Sequence, residues 1–180
     1  MIAITGATGQ LGHYVIESLM KTVPASQIVA IVRNPAKAQA LTAQGITVRQ
    51  ADYGDEAALT SALQGVEKLL LISSSEVGQR APQHRNVINA AKAAGVKFIA
   101  YTSLLHADTS PLGLADEHIE TEKMLADSGI VYTCCATAGT AKTTSPAPRQ
   151  HWNTAYLSVR RAMAKSPQQR GQIMRQLRHA

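Results

Sequence analysis

The sequence predicts an α/β fold, a Rossmann-type doubly wound parallel sheet, and three observations carry that expectation. Apolar runs of strand length alternate with stretches of helical period from the first residue, the pattern of a parallel sheet covered on both faces. The first run leads straight into Gly6-Ala7-Thr8-Gly9-Gln10-Leu11-Gly12, a Gly-x-x-Gly-x-x-Gly turn. Gly45, Gly65, Gly95 and Gly129 each follow a helical stretch and precede an apolar run, where a residue that accepts left-handed backbone angles ends a helix.

The first strand is expected over Met1 to Thr5, followed by the glycine loop and a helix from Gln10 to about Lys21. In that context Gly6 allows a tight turn, Gly9 lets backbone N–H groups approach a pyrophosphate, and Gly12 lets the helix pack on the strand. The helix N-terminus then faces the phosphates with its positive dipole end. The loop from Gly6 through Ala7, Thr8, Gly9, Gln10 and Leu11 to Gly12 is therefore expected to hold a dinucleotide. A glycine-rich turn without a ligand is the rival, and the strand before it and the helix after it count against that.

The second strand, Ile28 to Val32, ends in Arg33-Asn34-Pro35, where NAD-selective folds usually place an acid for the ribose hydroxyls. A cation stands there instead. Arg33, with Lys37 one turn into a helix over Pro35 to Ala43, is suited to a 2′-phosphate, which favours NADPH with NADH weaker. The third strand, Thr47 to Gln50, leads to Asp52 and Tyr53, placed to border the adenine; Asp52 as an ordinary helix N-cap is the competing reading. A helix over Glu56 to Leu63 follows, then a fourth strand over Lys68 to Ile72. Ser73, Ser74 and Ser75 lie at its carboxyl end, where ribose and nicotinamide run in such sheets. Helices near Gln79 to Ala94 and Leu114 to Ser128 flank a fifth strand over Lys97 to Tyr101, and a sixth strand covers Ile130 to Thr133.

Composition narrows the class. The chain has 180 residues, 45% of them apolar, which suits one globular domain. No stretch nears the roughly 20 apolar residues of a membrane span, and the start lacks the basic region of a signal peptide. The two cysteines, Cys134 and Cys135, are adjacent, so neither a disulfide framework nor metal-ligand spacing is present and no metal site is expected. A cytoplasmic location is the simplest expectation. Residues 1 to 133 carry 10 Lys/Arg against 12 Asp/Glu, net −2, whereas residues 134 to 180 carry 8 Lys/Arg and no acid, net +8. The overall charge of +6 thus belongs to the tail.

Over residues 1 to 133 the chain resembles the atypical short-chain dehydrogenase/reductases of the NmrA-like branch, and within it the NAD(P)H:quinone oxidoreductase type. The likeness rests on the glycine loop, Arg33-Asn34-Pro35, the run Leu69 to Ser75, Ala100-Tyr101-Thr102-Ser103, His118 with Glu122, and Ser128 to Thr133. It implies NADPH binding and hydride reduction of small quinones, with homo-oligomer formation left open. Ordinary short-chain dehydrogenases carry Tyr-x-x-x-Lys, whose lysine lowers the tyrosine pKa; the matching places here hold Leu114 and His118. His118 is the remaining candidate proton donor, against its reading as a polar helix residue. The same branch contains redox-sensing regulators, so a non-catalytic NADP(H)-sensing module acting through a protein partner is the alternative.

After Thr133 the strand-helix grammar stops. The resemblance implies a continuation like Leu-Leu-Arg-Asn-Gly-Trp-Tyr, whereas the chain reads Cys134-Cys135-Ala136-Thr137-Ala138-Gly139-Thr140. One coding of the former, CTG CTG CGC AAC GGC TGG TAC, read after loss of its first base, gives the latter residue for residue once the next base completes the threonine codon. Residues 134 to 180 are accordingly expected to be out-of-frame translation, a basic, acid-free and disordered tail, with the Rossmann domain truncated before its substrate-binding portion and its activity impaired. Arg160, Arg161, Lys165, Arg170, Arg175 and Arg178 recur along the tail, but its only aromatics are Trp152 and Tyr156 and Pro167 interrupts any long helix. No specific nucleic-acid binding and no membrane association are expected.

Overall fold

The computed structural model describes residues 1–104 and 115–137. Six strands form one sheet: β1 (Ile2–Thr5), β2 (Ile28–Val32), β3 (Thr47–Gln50), β4 (Lys68–Leu71), β5 (Phe98–Leu104) and β6 (Val131–Thr137). Their spatial order is β3-β2-β1-β4-β5-β6, and every neighbouring pair is parallel. Because the chain winds outward both ways from β1, the order reverses between β1 and β4. The crevice outside their carboxyl ends is the switch point where such sheets bind ligands.

Successive residues of a strand point to opposite faces, and the central strands β1, β2, β4 and β5 carry buried apolar residues on both, whereas the edge strand β3 is half-exposed. Ala3, Leu69, Leu71, Ile99 and Tyr101 pack under α3 (Glu56–Ala62), α4 (Arg80–Ala93) and α5 (Ala115–Asp127). Ile4, Ala30, Leu70, Phe98 and Ala100 face the other way, toward α1 (Gln10–Leu19) and α2 (Gln39–Ala43). All five residues of β2 are buried, each large one worth about 1.5–3 kcal/mol of transfer free energy. The sheet is doubly wound, as expected.

Gly45, Gly65, Gly95 and Gly129 take φ of +82°, +75°, +76° and +75°, so the helix ends expected from glycine are where the chain turns. Three local differences have physical causes. The stretch Pro35–Ala38 is a 3-10 turn rather than the start of an α-helix; Asn34 Oδ1 accepts from the Ala36 amide at 3.0 Å, which tightens that turn before α2 begins. The N-cap of α3 is Asp55, accepting from Ala58 N at 2.9 Å, so the capping role weighed for Asp52 falls three residues later. The boundary expected at Thr133 does not interrupt the sheet: β6 runs on to Thr137, pairing Cys134 with Tyr101 and Thr137 with Leu104. Ladder pairing is a backbone property, and the buried Cys135 is small enough to join the core on the α1 face.

Leu114 and residues 138–180 lie outside the described residues, and with them most of the expected tail. Among the described residues no helix is long and apolar enough to cross a membrane.

Candidate functional site

A cleft of about 390 Å³ opens outside the carboxyl ends of β1, β2 and β4. It brings together Gly6, Thr8 and Gly9 from the first loop, Arg33 and Lys37 after β2, Asp52 and Tyr53 after β3, and Ser73, Ser74 and Ser75 after β4. Ala7 and Gln10 line an adjoining hollow with Thr8, Gly9 and Lys37. Leu11 and Gly12 line neither and are buried on the sheet-facing side of the first turn of α1.

The loop is built by its glycines. Gly6 adopts φ +60°, a region costly for a side chain. A Cβ at Gly12 would stand 2.5 Å from the Gly6 carbonyl oxygen and 2.7 Å from Ala7 Cα; both are backbone atoms, so the turn would have to open. Gly9 is the N-cap of α1 and brings no side-chain acceptor, and the first turn carries no acid. The leading amides of α1 thus keep the positive helix end for an anion.

At the far side, Gln50 Nε2 donates to the Arg33 carbonyl at 3.1 Å and fixes the backbone there. The exposed Arg33 guanidinium donates from Nη1 to Glu76 Oε1 at 2.8 Å and stands 4.0 Å from Asp52 Oδ2. Asp52 Oδ1 accepts from Gly54 N at 2.7 Å, holding the turn that presents Tyr53. Tyr53 donates its hydroxyl hydrogen to the Ile72 carbonyl at 2.7 Å, tying the end of β3 to the end of β4. Burial drives its phenol pKa well above the ordinary value, so it is a fixed neutral wall.

The serine loop is held from behind. Ser73 N donates to Thr102 Oγ1 at 2.8 Å, Ser74 N to His84 Nε2 at 2.9 Å, and Arg80 Nε to the Ser74 carbonyl at 2.7 Å. Thr5 Oγ1 donates to Leu70 O and accepts from Ile72 N, locking β1 to β4 under the loop. Thr102 stands in the run Ala100 to Ser103 that carries the resemblance, with no role expected of it there, and nothing local in the sequence names His84, Arg80, or Glu76 and Gln83 of the cleft wall, as partners of this loop. Arg80 and His84, four apart on a helix bound for the core, were the one available signal: buried polar side chains require partners.

His118 is buried and does not line the cleft. Its Nδ1 lies 2.5 Å from the Tyr101 hydroxyl, and burial, with the Arg80 charge nearby, lowers its pKa to about 4. It is therefore neutral near pH 7. Glu122 accepts from the Ser103 hydroxyl on the neighbouring strand, and burial raises the Cys135 thiol to about 11.

These residues fit a dinucleotide: an uncapped helix end beside crowded glycines, the two cations Arg33 and Lys37 in the cleft wall, and the buried Gln83 Oε1, an acceptor without a hydrogen-bond partner among the described residues.

The model of the NmrA-like family matches residues 1–151. The chain is 99% identical over 133 residues to quinone oxidoreductase 2 of Escherichia coli (strain K12), covering 74% of this chain and 46% of that protein. The crystal structure of an Escherichia coli NADPH-dependent quinone oxidoreductase complexed with NADPH superposes with TM-score 0.74 at 96% identity, over 76% of this chain and 48% of the other. Triphenylmethane reductase of Citrobacter sp., complexed with NADP(H), gives TM-score 0.75 at 48% identity over 77% of this chain and 50% of its own. The chain spans about half the length of the curated relatives it matches.

Proposed function

The chain belongs to the NmrA-like family, and from that premise we propose that its cleft binds NADPH, NADH more weakly, and serves hydride reduction of small quinones. The observation that carries this reading is the convergence of the glycine loop, Arg33 and the serine loop on one cleft at the switch point. The leading amides of α1 and Gly9 would hold the pyrophosphate, Arg33 with Lys37 the 2′-phosphate, and Asp52 with Tyr53 the adenine edge. Ser73, Ser74 and Ser75 would border the ribose and nicotinamide. Bound NADPH supplies the hydride; the quinone takes that hydride and one proton to become a hydroquinone. His118, neutral and tied to Tyr101, is poorly suited to deliver that proton directly, and a quinone oxygen, once reduced, takes one readily from water.

Fluorescence titration of the 180-residue chain with NADPH and NADH, followed by addition of a small quinone, tests the reading. NADPH binds tighter than NADH, and quinone addition consumes it. Arg33→Glu removes the preference for NADPH over NADH, because a carboxylate repels the 2′-phosphate and accepts from the 2′-hydroxyl. Unchanged selectivity in that variant refutes the role of Arg33; binding without consumption fits both the nucleotide-sensing alternative and an enzyme that has lost its family continuation, and restoring that continuation after Thr133 separates them.

We further propose that the chain leaves the family's reading frame after Thr133. The absence of acids from 134 to 180, the seven-residue match to a shifted coding, and an identity of 99% that extends over 133 residues support it. Continuation of β6 to Thr137 is compatible, since ladder bonds are blind to side chains. Sequencing the gene decides: loss of one base at the junction, with a family-like continuation in the alternative frame, is expected, and a frame running unbroken to the stop codon with no family-like continuation in either alternative frame overturns it.

A further inference from the structure

We propose that Glu76 sets the nucleotide preference of the cleft by competing with a 2′-phosphate for Arg33. The inference rests on the reading of Arg33 as the 2′-phosphate ligand and goes one residue beyond it. Glu76 comes after the serine loop that ends β4, on the opposite wall from Arg33, and its Oε1 takes the Arg33 Nη1 hydrogen bond at 2.8 Å. It is not a free surface carboxylate. Its Oε2 accepts from Gln83 Nε2 at 2.7 Å and its amide donates to Ser74 Oγ at 3.2 Å, so α4 and the serine loop both hold it at the cleft mouth.

With Asp52 Oδ2 4.0 Å from Arg33 Nε, the guanidinium lies between two carboxylates. Arg33 and Lys37 are then balanced by Asp52 and Glu76 among the charged groups of the cleft wall. A 2′-phosphate brings between one and two further negative charges near neutral pH. To pair with Arg33 it must displace Glu76 or share the guanidinium with it against like-charge repulsion. A nucleotide bearing a 2′-hydroxyl meets no such opposition. Glu76 thus weakens discrimination in favour of NADPH, and Gln83, through its Nε2, fixes the carboxylate where it does so.

The test is titration of the full chain with adenosine 2′,5′-bisphosphate and with AMP, for wild type, Glu76→Gln and Glu76→Ala, at low and moderate salt. Wild type prefers the bisphosphate. Glu76→Gln keeps an acceptor for Gln83 and tightens bisphosphate binding about three- to tenfold, as expected for removing an exposed ion pair together with its repulsion. AMP affinity stays within about twofold, and the gain shrinks with salt. Bisphosphate affinity that is unchanged or weaker in both variants, while wild type still prefers it over AMP, overturns the role of Glu76 alone. A wild type that binds the two ligands equally, or neither, overturns the reading of Arg33 and with it this inference.

Discussion

His84 shows how one buried side chain determines the state of a loop. Thr121 Oγ1 donates to the Glu117 carbonyl at 2.7 Å, so its only hydrogen is committed and it accepts from His84 Nδ1 at 3.0 Å. That leaves His84 Nε2 as the acceptor for Ser74 N, and the neutral Nδ1–H tautomer is fixed by its surroundings. Protonation would set a second N–H against the Ser74 amide. Burial, then the charge of Arg80, lowers the His84 pKa to about 3, and His118 falls to about 4 for the same reasons in the same order. Both folded values lie below the unfolded value near 6.5, so unfolding takes up protons as the medium becomes acid. Stability is constant from these groups above about pH 6.5 and falls below it, each histidine costing about tenfold in the folding equilibrium per pH unit until its folded pKa is reached. Thermal unfolding between pH 7.5 and 4.5 checks this: the midpoint drops below pH 6.5, and a His84→Gln variant, less stable at pH 7, has a shallower drop. A slope unchanged by removal of His84 would show that it does not titrate on unfolding.

At the scale of elements, the N-terminus of α4 is stapled to α5. Glu117 accepts from Gly78 N at 2.9 Å, Arg80 N at 3.2 Å and Arg80 Nη1 at 3.0 Å, with the ion pair largely out of solvent. One carboxylate therefore caps α4, neutralises a buried guanidinium and positions the arginine that holds the serine loop. Glu117→Ala leaves that guanidinium uncompensated and lowers stability by about 3–5 kcal/mol in urea unfolding, whereas Arg80→Met with Glu117→Leu costs less than the single change. A double loss equal to the sum of the Arg80→Met and Glu117→Leu losses measured singly would mean that the pair is not coupled. Such staples are what the sequence concealed. β2 is found at Ile28–Val32 as expected, because a buried parallel strand must be an apolar run, and β3 at Thr47–Gln50, a half-exposed edge strand of sequence Thr-Val-Arg-Gln, because Gly45 before it marks where a helix turns. The loop, Arg33 and the serines were legible because a strand end followed by glycine or polar residues has few other uses. Glu76, Gln83 and His84 were not: their roles come from partners on other strands and helices, and no local spacing encodes a pairing across the sheet. The 3-10 turn at Pro35–Ala38 was missed for a smaller reason, an asparagine side chain competing with the first helical hydrogen bond.

For the whole molecule, the cleft-lining residues run from Gly6 to Gln83, so the contacts proposed for the phosphates and adenine involve nothing after Thr133. The segment after Thr133 holds eight cations and no acid, net +8 against −2 before it, and in our reading it replaces the part of the fold that would close over the nicotinamide. Binding and turnover should then separate. Phosphate and adenine contacts hold NADPH at one end, but hydride transfer needs the reacting atoms in near contact, and a misplacement of about 1 Å costs on the order of 10²-fold in rate. A chain in which the family frame is restored after Thr133 is expected to bind NADPH within about tenfold of this one while consuming it with a quinone at least about 10²-fold faster. Titration and turnover on the two purified chains, both shown to be folded, measure the two quantities side by side. Equal turnover would mean that the residues before Thr133 already set the hydride geometry; loss of NADPH binding in this chain alone would mean that the cleft depends on the family's residues beyond β6.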